Sequence, residues 1–128
     1  MPAHNHFSSR TFDALVERAI ARLPEEIRGY LDNVLITVQP RPGRELLEDL
    51  KLPPDAELFG VYIGTPLPER SMAEPPLYPD TIHIFQEPLE AFCRSREEII
   101  DEIEITLVHE VAHFVGFSDA DLDDLGYG

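Results

Sequence analysis

The chain has 128 residues, 43% of them hydrophobic, and its 25 acidic against 10 basic side chains give a formal charge of −15. That length suits one core and is short for two, so a single domain over residues 1–128 is expected. The charge repels nucleic-acid phosphate and anionic membranes alike, and the lone cysteine, Cys93, excludes an intramolecular disulfide and a multi-cysteine zinc site.

The first residues, Met1 to His6, are polar, with no apolar signal core behind them, and no stretch approaches the eighteen or so apolar residues of a membrane span. A reducing cytoplasm is the expected location. His4 and His6 have no apolar anchor around them and are read as part of a frayed terminus. A cap at Ser8 or Ser9 then opens an apolar stripe at helical spacing, Phe12, Leu15, Val16, Ala19, Ile20 and Leu23, which Pro24 ends. A short helical turn is predicted over Glu25 to Leu31. Val34 to Val38 is β-branched and strand-like up to Pro40. Arg41 to Pro54 is a mixed-charge surface connection with a helical turn around Glu45 to Leu50.

Leu58 to Gly64 reads as a second strand and Thr81 to Gln86 as a third. Five prolines between them, at 66, 68, 75, 76 and 79, oppose regular structure. That segment is either a wall or lid of a cleft or simple filler. In the third strand, alternation puts Thr81, His83 and Phe85 on one face and Ile82 and Ile84 on the other. His83 is read as structural, and if its strand is the sheet edge, its backbone can pair with an extended peptide.

Ser95 and Glu98 have the spacing of a capping box, and apolar positions from Ile99 to Val115 run to Gly116, a glycine suited to ending a helix. The acidic positions from Glu97 to Glu104 form a solvated outer face that suits the start of the helix dipole. Within this helix lies His109-Glu110-Val111-Ala112-His113. Residues four apart share a helix face, so both imidazoles can aim at one cation, which marks His109 and His113 as metal ligands. Glu110 sits round the helix from them, close enough to take a proton from a metal-bound water without being a ligand. Gly116 can turn the chain so that Asp119 returns as a third ligand; the alternative for Asp119 is a cap of the next turn. Chance produces His-Glu-x-x-His in roughly one of a few hundred chains this long, and Gly116 and Asp119 make coincidence rarer still.

Asp119, Asp121 and Asp123 resemble the start of an EF-hand, but Asp124 stands where glycine is required and the terminal glutamate is lacking, so calcium is rejected. Asp121, Asp123 and Asp124 are read as acceptors behind a ligand imidazole, or as a helix start and surface. An oxyanion needs a further electrophile. Tyr127 is the first choice, with Tyr62, Tyr78 and His83 as alternatives, and each is equally readable as a packed aromatic. Cys93 is read as an inert buried thiol.

The motif and the tail Asp121-Leu122-Asp123-Asp124-Leu125-Gly126-Tyr127 resemble the minimal zincin-like metallopeptidase family, short bacterial proteins carrying His-Glu-x-x-His-x-x-Gly-x-x-Asp. The order of strand Asp80 to Gln86, then Glu87-Pro88-Leu89, then a long helix is similar as well. The resemblance implies Zn²⁺ held by His109, His113 and Asp119, with Glu110 as the catalytic carboxylate. Combined with the element pattern, it implies a compact α+β zincin-like domain with about three or four strands in a small mixed sheet against helices that include the long metal-binding one. The expected activity is a zinc metallopeptidase acting on short or unfolded peptides, with neither nucleic acid nor membrane as partner. The alternatives are a metal-binding interaction module with little turnover and hydrolysis of a non-peptide amide.

Overall fold

A computed structural model describes residues 6–64 and 80–127. Helix α1 (Ser9–Arg22) starts where Ser8 accepts a bond from the Thr11 amide and buries Phe12, Leu15, Val16 and Ala19. Pro24 then starts the short α2 (Glu25–Tyr30), and a single 3₁₀ turn (Leu31–Asn33) leads into strand β1 (Val34–Gln39). Helix α3 (Arg44–Asp49) replaces the helical turn expected in the mixed-charge connection and buries Leu47.

Strands β2 (Gly60–Ile63) and β3 (Asp80–Phe85) complete a mixed sheet in the order β1-β3-β2, parallel between β1 and β3 and antiparallel between β2 and β3. Three strands among the described residues match the smaller of the expected counts. The third predicted strand is central and therefore has no free edge; the edge on the motif side is β2. Ile82 and Ile84 are fully buried on one face of β3, as the alternation requires, and meet Ile36 and Val38 of β1 in register. His83 lies on the other face, where its Nδ1 is 2.7 Å from the Thr37 hydroxyl, and is structural as expected.

The sequence reading passed over α4 (Gln86–Phe92), where Pro88 occupies the first helical turn and forfeits no intrahelical bond. Helix α5 (Arg96–Val115) runs twenty residues under the sheet and against α1, and six of its eight buried side chains form the floor of the core. The expected capping box is half formed: Ser95 accepts from the Glu98 amide, but the Glu98 carboxylate reaches the Arg94 amide. On the acidic outer face of α5, Glu97, Glu98 and Asp101 are exposed as expected, while Glu102 and Glu104 are half-buried. Arg22 gathers Glu97, Asp101 and Glu104 from across α1, and Glu104 is only 17% exposed.

His6 is likewise better anchored than the frayed terminus anticipated. Its Nδ1 lies 3.2 Å from the buried Glu90 carboxylate, which also accepts from the Phe7 amide at 2.7 Å and the Gln86 side chain at 3.0 Å. His4, Tyr78 and the proline-rich segment 65–79 lie outside the described residues. Among those residues no helix is long and apolar enough to cross a membrane.

Candidate metal centre

The His-Glu-x-x-His segment occupies the last two turns of α5, where the helix emerges from the core. Val111, Ala112 and Phe114 are buried there, while His109 and His113 are exposed, so apolar and imidazole positions separate onto different faces of one helix. Gly116 takes a left-handed conformation, φ 82°, and ends α5 as the sequence reading required. The chain then turns into α6 (Asp119–Leu125).

Asp119 is the first residue of α6 and is exposed. It is not the cap. Ser118 fills that position, and the reciprocal partner is Asp121, whose carboxylate accepts from the Ser118 amide at 2.8 Å while the Ser118 hydroxyl accepts from the Asp121 amide at 3.1 Å. The Ser118 amide, and with it the Ser118 hydroxyl, lowers the Asp121 carboxyl pKa, because bonds donated to the carboxylate stabilise its charged form. Asp121 is thus a helix start, one of the two roles its composition suggested.

Glu110 shows how tertiary structure finishes a site. The backbone amide of Tyr62, on edge strand β2, donates to Glu110 Oε1 at 2.7 Å. Gly60 makes this approach possible, since a Cβ there would lie 2.8 Å from the Thr106 methyl of α5 and 3.0 Å from the His83 carbonyl oxygen. Two cavities of about 310 and 260 Å³ flank the crossing, with Glu110 lining both, His113 the first and His109 the second. The walls of the larger one include Leu50, Leu58 and Phe114. Desolvation among these apolar groups raises the Glu110 pKa, partly offset by the Tyr62 amide and the two histidines. A carboxylate in such surroundings is a stronger proton acceptor than one in water.

The distal nitrogen of His109, Nε2, is 3.1 Å from the Tyr127 carbonyl oxygen. A carbonyl only accepts, so in this arrangement Nε2 carries the proton and the lone pair belongs to Nδ1. Among the described residues no three His, Cys, Asp or Glu side chains lie close enough together to hold a metal ion, so Asp119 is not gathered with the histidines. The donor chemistry of α5 still fits zinc: two imidazoles one helical turn apart beside a carboxylate held in a partly desolvated cleft.

The electrophile candidates fare differently. The Tyr127 hydroxyl donates to Glu104 at 2.5 Å, and burial, together with that bond and the Glu104 charge, raises its pKa to about 12; the Tyr62 hydroxyl donates to Asp80 at 2.8 Å while its ring stacks on Phe114. Both phenols are bonded to carboxylates. His83 faces away from α5. The residue that sequence reasoning missed is Tyr62 in its backbone role; only the strand pattern around it hinted at a nearby edge.

A comparison with curated proteins finds no match. The sequence profile of the zincin-like metallopeptidases matches residues 31–128, from the turn before β1 through the sheet, α5 and α6, and the chain belongs to that family.

Proposed function

We propose that the protein is a zinc-dependent peptidase whose metal is held by His109, His113 and Asp119 and whose general base is Glu110. The observation that carries the reading is the Glu110 carboxylate, fixed by the Tyr62 amide at the rim of an apolar cleft and flanked in sequence by two histidines one turn apart. Bound there, zinc supplies Lewis acidity and lowers the pKa of a coordinated water toward about 7. Glu110 takes the proton of the attacking water through its free oxygen, while Oε1 stays on the Tyr62 amide, and then delivers that proton to the leaving amine. The third ligand requires Asp119 and the histidines to draw together. The substrate is a short or unfolded peptide, lying extended along the β2 edge.

Zinc content and turnover separate this reading from its rivals. Wild-type protein is expected to bind one zinc, His113→Ala to lose it, and Glu110→Gln to keep it while losing all cleavage of a peptide library read by mass spectrometry. Glu110→Gln losing zinc as fully as His109→Ala makes Glu110 a ligand instead. The absence of three gathered donors among the described residues favours a second reading, an interaction module with little turnover. Stoichiometric zinc without any Glu110-dependent product decides for that module.

A further inference from the structure

A cavity of about 690 Å³ lies away from the motif, between α1, β1 and α4. Its floor is apolar. Val16 and Ile20 of α1 face Ile36 and Val38 of β1, and both β1 side chains are only half buried because α1 packs on α5 rather than on this end of the sheet. Its rim carries Asp13, Glu17, Glu87 and Glu90 and, among the described residues, no lysine or arginine. Glu90 is satisfied by Phe7, Gln86 and His6, and Glu87 lies 3.5 Å from Arg41. Asp13 and Glu17, one turn apart on α1, make no ion pair among the described residues. Like charges at that spacing repel.

Strand β1 borders the same cavity. It pairs with β3 alone, so its outer side is a free edge among the described residues. The six residues Val34 to Gln39 include no charge and no proline, the devices that usually protect an edge, and Leu35 is 54% exposed. A strand added outside β1 continues the sheet, and every second side chain of it falls on the face of Ile36 and Val38, over the cavity.

We propose that this edge and cavity form a docking site for an extended basic segment of a protein or peptide, distinct from the motif on α5. Lysine or arginine at alternate positions lays its aliphatic stem on the apolar floor and its charged head beside Asp13 and Glu17. The same charge disfavours a second copy of the chain, whose own β1 edge would bring two acidic rims together. The site is independent of zinc and of turnover.

The test uses a six-residue blocked peptide of alternating lysine and valine, matched in length to β1, titrated calorimetrically into the full chain carrying Glu110→Gln to prevent cleavage. It is expected to bind roughly tenfold more tightly than the glutamate–valine counterpart. Methylation of alternate backbone amides is expected to abolish binding, since it removes edge pairing and leaves charge intact. The double variant Asp13→Asn/Glu17→Gln is expected to weaken binding about fivefold with an unchanged circular dichroism spectrum. Hydrogen exchange is expected to slow at Val34 to Gln39 and not at Gly60 to Ile63. Equal binding of the methylated peptide, protection confined to β2, or a double variant that binds like wild type overturns the proposal. A dimer that protects β1 without peptide overturns it in favour of a second copy.

Discussion

Glu90 and Glu110 are two carboxylates whose surroundings set opposite roles. Glu90 is 6% exposed, and its oxygens meet the Phe7 amide, the Gln86 side chain and the His6 ring, which pins the start of the chain onto α4. Glu90→Ala removes the acceptor of both the Phe7 amide and the Gln86 side chain at a buried position, so a loss of about 1–3 kcal/mol is expected by chemical denaturation. Glu110 instead has one oxygen on the Tyr62 amide and lines two cavities beside the motif, the setting in which the proposed proton transfer places it. Cys93 behaves as a packed thiol. Burial and the nearby Glu102, Glu98 and Asp101 raise its pKa to about 11, so the nucleophilic thiolate is scarce near neutrality. Iodoacetamide at pH 8 is expected to leave Cys93 unmodified in the native protein and to alkylate it readily in urea. The two histidines and Glu110 were legible as residues, because four-residue spacing on a helix is a local property. The Tyr62 amide was not, since a backbone group 48 residues away carries no sequence signature.

Helix boundaries followed their local signals closely. Ser8, Pro24, Ser95 and Gly116 all sit at element ends, where capping and φ preferences act within a few residues. Gly116 has the most to lose. At φ 82° a Cβ is strained, so Gly116→Ala is expected to lower stability by about 1–2 kcal/mol in thermal denaturation and to loosen the entry into α6. Zinc affinity, if Asp119 is the third ligand, falls with it. The short α4 escaped notice because Pro88 reads as a breaker unless the helix start is known. The strand predicted at His83 was placed correctly along the chain, yet its position in the sheet was open: alternation tells which face a residue takes, never which neighbours the strand has.

At the scale of the molecule, 25 acidic residues against 10 basic ones leave a compact body under self-repulsion, relieved locally where Arg22 bridges three carboxylates. Raising sodium chloride from low to physiological concentration is therefore expected to raise Tm in calorimetry, and a Tm that falls with salt would show that the Arg22 cluster outweighs the repulsion. Sequence alone determined the class of fold, the long helix, the family and the four residues of the motif, because hydrophobic period, caps and ligand spacing are written within single elements. Tertiary structure decided that β2 and not β3 is the edge over the motif, that Glu110 is oriented by a backbone amide, that Asp119 opens α6 apart from the histidines, and that a cavity lies beside β1. These depend on strand order and on which surfaces meet, and such long-range pairings are set by the packing of the whole core rather than by any stretch of the chain.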